Sequence, residues 1–159
     1  MGEIVSPSHK LGQKIGEFLQ EYFSTDIKKL SKSLGYYFDQ QGPCCGVRGD
    51  RRKVECVDNR GSSHDMDYVI EKGGTESKKG EPLAFIEVAW RRYTKHSRNK
   101  AGELEGSMLA LRDPYRYCAF LGAIIAGDSP TRTSSGRENL LRDMSNFNLF
   151  HILVYDYIP

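Results

Sequence analysis

Two acids stand among residues that ought to be apolar. The run Pro82-Leu-Ala-Phe-Ile-Glu-Val-Ala-Trp90 reads as a strand, and on a period-two pleat Leu83, Phe85, Glu87, Ala89 and Arg91 share one face. Glu87 interrupts that apolar row. A carboxylate in such a setting needs a cation or hydrogen bonds to be tolerated, and a divalent metal ion is one such partner. Upstream, Asp65-Met-Asp-Tyr-Val-Ile70 repeats the arrangement, with Met66, Tyr68 and Ile70 alternating with Asp67 and Val69. Asp67 and Glu87 on neighbouring strands would offer a hard cation two oxygen donors. The competing reading of the two acids is a structural ion pair with Arg91 or Arg92.

A dense cationic segment follows the second strand directly. Arg91, Arg92, Lys95, Arg98 and Lys100 are interleaved with Tyr93, Thr94, His96, Ser97 and Asn99, which are further hydrogen-bond donors. Such density beside a carboxylate pair fits phosphate contacts to nucleic acid. Its plainer counterpart is a solvated helix start, although the helix dipole does not favour cations there. The segment from Asp128 to Arg137, with two arginines among small hydroxyl residues, reads either as a second DNA-facing edge or as an ordinary surface loop. Cys44, Cys45, Cys56 and His64 raise the question of zinc, but adjacent cysteines and lone partners lack the paired spacing of structural zinc sites. They read as thiols, and Cys118, in an apolar run, reads as a core thiol.

The elements that must position these groups are legible in outline. From Leu11 the apolar residues Ile15, Phe18, Leu19, Tyr22, Phe23, Ile27, Leu30 and Leu34 recur at threes and fours, predicting a long amphipathic helix that ends near Gly35. Residues 39–63, rich in Gly, Asp and Asn, predict a loop around one marginal strand, Lys53-Val-Glu-Cys-Val57. Strands at about 66–71 and 83–90 follow, joined by the polar connection Lys72–Gly80 and expected to be antiparallel neighbours. Then come a helix from Ser97 to Arg112 stopped by Pro114, a strand from about Tyr117 to Ala126, a short helix opened by the capping pattern Ser135 and Glu138, and a last strand from Asn148 to Tyr157. This order predicts an α+β fold, a mixed central sheet flanked by helices.

Composition bounds the class. The chain has 159 residues, 38% hydrophobic and 28% charged, which suits a single ordered domain over 1–159 with its own core, whether alone or within a longer protein. Its longest apolar stretch, Cys118 to Ala126, falls well short of the roughly 18 residues a membrane span needs. No basic segment leads into an apolar one at Met1–Pro7, and the cysteines cluster unevenly, so the expectation is reduced thiols and a cytoplasmic location. A formal charge of +2 does not by itself imply a polyanion partner; the local cluster carries that signal.

With an acid on one hairpin strand, a Glu on the next and a basic helix directly after, the chain resembles the PD-(D/E)XK nuclease superfamily, type II restriction endonucleases in particular. The resemblance spans roughly residues 10–157, and Asp67 and Glu87 match its signature directly. It departs where Ala89 stands in place of the motif Lys and where Met66, not Pro, precedes Asp67. The resemblance implies a restriction-endonuclease-like core and a Mg2+-dependent DNA endonuclease, Mn2+ substituting, with Asp67 and Glu87 as metal ligands. It also implies a duplex DNA substrate and a homodimer, because a duplex cut needs two sites.

Two positions stay open under that resemblance. The missing cation would come from Lys95 or Lys100, since Arg91 shares the face of Glu87 but cannot act as a base. A third ligand from the first helix would be Glu17 or Glu21, although the helical wheel sets Glu17 almost opposite the apolar stripe and Glu21 on its flank. The alternative function is a nuclease-fold domain that binds nucleic acid without cutting it, a reading kept alive by Ala89. A third reading, an unrelated α/β binding module, pairs Glu87 with arginine.

Overall fold

The computed structural model describes residues 7–40, 42–43, 50–51, 53–91, 94–127 and 149–154; among these, the side chains of residues 8, 42–43, 50–51, 91, 94–102, 127 and 149–154 are excepted. It is an α+β architecture. In chain order the described elements are α1 (Pro7–Ser33), β1 (Tyr37–Gln40), β2 (Gly42–Pro43), β3 (Asp50–Arg51), β4 (Val54–Val57), β5 (Ser63–Met66), β6 (Tyr68–Lys72), β7 (Glu81–Arg91), α2 (Thr94–Arg112), β8 (Phe120–Gly127) and β9 (Leu149–Val154).

Five strands form one mixed sheet in the order β1-β6-β7-β8-β9. β1 with β6 and β6 with β7 pair antiparallel, whereas β7 with β8 and β8 with β9 pair in parallel. The parallel step from β7 to β8 is bridged by α2, as a parallel connection requires. Two ribbons stand apart from the sheet, β2 with β3 and β4 with β5.

Alternation along the central strands sorts the core into two layers. Even-numbered Ile86 and Val88 on β7, with Ile124 and Ala126 on β8, meet Leu19 of α1 and its half-buried neighbours Ile15, Phe23 and Ile27. Odd-numbered Phe85 and Ala89, with Leu121, Ala123 and Ile125, meet Leu104, Met108 and Leu111 of α2. The sheet is therefore covered by one helix on each face, and the position of Glu87 in the odd row aims it to the α2 side.

The first helix closes as its sequence predicts. Gly35 takes a left-handed φ of 77°, while the N–H of Tyr36 donates to the Ser31 carbonyl at 2.9 Å and that of Gly35 to Lys32 at 3.1 Å. This is a Schellman closure, in which glycine bears the backbone turn that a side chain would strain.

Three expectations are corrected. Tyr37–Gln40 is a strand at the sheet edge, where only loop was expected from residue 39 on. The expected strand at 66–71 is two strands, β5 and β6, broken at Asp67. Met66 and Val69 consequently lie in the same core layer, while Tyr68 lies in the other, so the simple alternation expected across Asp67 fails there. The strand expected from about Tyr117 begins at Phe120, and of the strand expected over Asn148–Tyr157 the described residues show Leu149–Val154. The expected helix at Ser135–Met144 and the Asp128–Arg137 loop lie outside the described residues.

Candidate active site

The break at Asp67 is what builds the site. β6 and β7 pair with Tyr68 opposite Ile86, and continuing that register by one residue sets Asp67 across from Glu87. Directly opposed residues of an antiparallel pair point to the same face at close range. Each carboxylate is held by a backbone N–H of the opposite segment: the Asp67 N–H donates to Glu87 Oε1 at 3.1 Å, and the Val88 N–H donates to Asp67 Oδ2 at 2.8 Å. Both acids are buried, with 0% and 3% of their surfaces exposed.

Burial of two adjacent carboxylates demands a cation, and Lys53 supplies it. Its Nζ lies 2.7 Å from Asp67 Oδ1 and 3.4 Å from Glu87 Oε2. Lys53 stands just before β4, whose pairing with β5 holds Val54 opposite Met66 and so carries the lysine to the residue that follows Met66. Its side chain remains 32% exposed, so the lysine borders solvent while the two acids beneath it are buried. Burial alone would lower the Lys53 pKa, but the charges of Glu87 and Asp67 and their hydrogen bonds outweigh it and raise it above the usual value. At neutral pH Lys53 is therefore a cation and not a base.

The helix α1 also reaches the pair, through a residue sequence reasoning passed over. Gln20 donates from Nε2 to Asp67 Oδ1 at 2.8 Å. The adjoining Tyr68 hydroxyl donates to the Gln20 carbonyl, so one residue of the helix is tied to two successive residues of the sheet. Burial first, then the charges of Asp67 and Glu87, push the Tyr68 phenol pKa upward, and it stays a neutral donor.

The residues expected at the site divide clearly. Asp67 and Glu87 are brought together. Glu17 is not: it is exposed and paired with Lys14 at 2.6 Å along the outer face of α1. Glu21 is likewise exposed. Arg92 lies outside the described residues, as do the side chains of Arg91, Lys95, Arg98 and Lys100, so the basic run is placed only as backbone, at the end of β7 and in the first turns of α2. Among the described residues the ion-pair partner of Glu87 is Lys53; the competing pair with Arg91 or Arg92 involves side chains outside the described residues. No spacing rule ties Lys53 or Gln20 to the acids; only the β4–β5 ribbon and the packing of α1 bring them there.

Two carboxylates with an amide beside them form a hard oxygen donor set, which suits Mg2+, an ion commonly held by one or two carboxylates with water or phosphate oxygens completing its shell. Among the described residues, no group of three or more His, Cys, Asp or Glu side chains comes together to hold a metal ion. For zinc, Cys44 and Cys45 lie outside the described residues, and Cys56 and His64 face each other across β4 and β5 with other engagements. His64 Nε2 lies 2.9 Å from Asp58 Oδ2. Burial, and then the negative charge of Glu71, push the Cys56 thiol up to about 12, which opposes the thiolate a zinc ion needs.

No family model, curated protein or solved structure matches this chain. No helix among the described residues is long and apolar enough to cross a membrane.

Proposed function

We propose that this chain is a Mg2+-dependent endonuclease that hydrolyses phosphodiester bonds of duplex DNA, on a restriction-endonuclease-like core, with Mn2+ able to substitute. The observation that carries the reading is the opposed, buried pair Asp67 and Glu87 with the Lys53 ammonium upon it. Hydrolysis bonds a water oxygen to phosphorus and breaks one ester bond, leaving a phosphomonoester and a hydroxyl. A divalent ion held by the pair supplies an acidified water and a contact that relieves charge on the phosphate.

This chain's own residues do the rest. Asp67 and Glu87 hold their outer oxygens against backbone N–H groups, which fixes both carboxylates without side-chain rearrangement. Gln20 restrains the inner oxygen of Asp67. Lys53, kept protonated by the pair, stabilises negative charge as it grows on the phosphate oxygens, in place of the motif lysine that is absent at Ala89. The basic run Arg91, Arg92, Lys95, Arg98 and Lys100, which follows Glu87 closely in the sequence, contacts the DNA backbone, and two copies of the chain act together to cut both strands.

A second reading rests on a specific observation too. Lys53 and backbone N–H groups already engage the oxygens of both acids, so the pair is a self-sufficient ion cluster in a domain that binds DNA without cutting it. The experiment that separates them is incubation of duplex DNA of varied sequence with the protein and Mg2+ or Mn2+. Cleavage by wild type, lost in Glu87→Gln, supports the enzyme. Salt-sensitive binding with no cleavage by wild type replaces it with the binding domain, and absence of both removes the nucleic-acid reading.

A further inference from the structure

The two carboxylates do not present their oxygens equally. Asp67 Oδ2 and Glu87 Oε1 are spent on the N–H groups of Val88 and Asp67. The inner oxygens, Asp67 Oδ1, which also accepts from Gln20 Nε2 at 2.8 Å, and Glu87 Oε2, converge on Lys53 Nζ at 2.7 and 3.4 Å. An ion bridging the pair would use those same inner oxygens, since the outer ones are held by hydrogen bonds from the sheet itself. We infer that Lys53 is an internal counter-ion that occupies the divalent-cation site and is displaced from it, toward the bound phosphate, when the cation enters.

Charge balance gives the exchange a direction. Among the described residues, two carboxylates and one ammonium carry one net negative charge in buried surroundings. A divalent ion turns that into one positive charge, and a single phosphodiester then restores neutrality. Lys53 is suited to such a move: its side chain is 32% exposed, it enters from a ribbon outside the main sheet, and its four-carbon stem is flexible. The acids are not, being pinned at both ends of the contact. The inference rests on the ion-site reading proposed above and adds that apo and loaded states differ in where Lys53 sits.

The test is calorimetric titration of the whole chain with Mn2+ and with Ca2+, in wild type, Lys53→Met and Glu87→Gln. Removing a competitor tightens ion affinity, so Lys53→Met binds Mn2+ about tenfold more tightly than wild type, within the usual range of coupling between two ligands of one site. Its thermal midpoint is lower without ion and rises further than that of wild type when Mn2+ is added. Should Lys53→Met fold poorly without ion, the wild-type Lys53 side-chain NMR signals serve instead: they shift on Ca2+ addition if the ammonium leaves the pair. Equal or weaker Mn2+ affinity in Lys53→Met, or Lys53 signals unmoved by saturating Ca2+, overturns the exchange while leaving the ion site standing. No ion binding by wild type or Lys53→Met removes the site and the exchange together.

Discussion

β6 carries or adjoins two sets of buried acids, and they are buried differently. At its start, Asp67 faces Glu87 and both are balanced by a lysine that arrives from another ribbon and keeps contact with water. At its far end, Glu71 is 4% exposed, and its Oε2 accepts the Gly80 N–H at 2.7 Å, within the connection that joins β6 to β7. That loop closes tightly: a Cβ at Gly80 would collide with the Gly74 backbone and the Lys72 carbonyl. Glu71 is thus held by its own turn, and it fixes the hairpin. The Asp67–Glu87 pair is held by the sheet and balanced only in part by a partly exposed lysine from another ribbon, which is the arrangement the proposed cation site needs and a structural acid does not.

The largest expected effect tests that division. Asp67→Asn and Glu87→Gln each lower Mg2+-dependent cleavage by about a thousandfold or more, because each removes a ligand charge from the ion whose chemistry drives the reaction. Glu71→Gln, equally buried, leaves the rate per folded molecule within about threefold. A comparable loss in all three variants, measured at matched folded fraction, would erase the distinction between the two acid sites.

Lys53→Met comes next. Losing one positioned cation from a sheltered site costs about 100-fold in cleavage rate with little change in DNA affinity, since the charge it meets appears only in the transition state. Lys95→Ala and Lys100→Ala, by contrast, weaken binding and its salt dependence, each lowering the slope by about one unit. If one of those variants, and not Lys53→Met, removes cleavage at unchanged affinity, the missing motif cation belongs to α2.

The third effect is on stability and falls on the other acid. Glu71→Gln weakens a charge-assisted hydrogen bond to the Gly80 N–H, and urea denaturation should show a loss of about 1–2 kcal/mol. An unchanged midpoint would mean that the turn closes without its carboxylate.

What the sequence disclosed follows the same line. The hairpin of β6 and β7 was legible because alternation survives wherever one face of a strand meets a helix, as Phe85 and Ile86 do in opposite layers. Glu87 stood out as a break in that alternation. Lys53 carried no such mark: it precedes a four-residue strand among glycines and charges, and only the pairing of β4 with β5 delivers it to the acids. Gln20 was hidden in a different way, since the amphipathic pattern of α1 describes its apolar face, and Gln20 reaches past that face to the end of a strand. β1 escaped because Tyr37-Phe-Asp-Gln is short and half polar, although Asp39 is only 2% exposed in the folded chain. Regular elements write their periodicity into the sequence; contacts made by a single long side chain do not.

The smallest effect reads the Glu71 end through its neighbour. Burial, followed by the charge of Glu71 and then Asp39, pushes the Cys56 thiol up to about 12 from 9.0, with Lys79 opposing. The folded chain therefore keeps that proton at pH values where the unfolded chain has released it. The contribution is fully present below pH 9 and is lost as pH rises toward about 12, with a slope approaching about 1.4 kcal/mol per pH unit within that window. Working between pH 8.5 and 10 stays below the raised pKa of Lys53. Cys56→Ala should flatten the decline of the urea midpoint over that range, whatever constant penalty its smaller volume adds at both ends. Because Glu71 supplies part of the upward push, Glu71→Gln lets the folded thiol titrate earlier and shortens the window, while Asp67→Asn leaves it in place. Equal slopes in wild type and Cys56→Ala would show that neither burial nor the neighbouring charges raise the thiol in the folded chain.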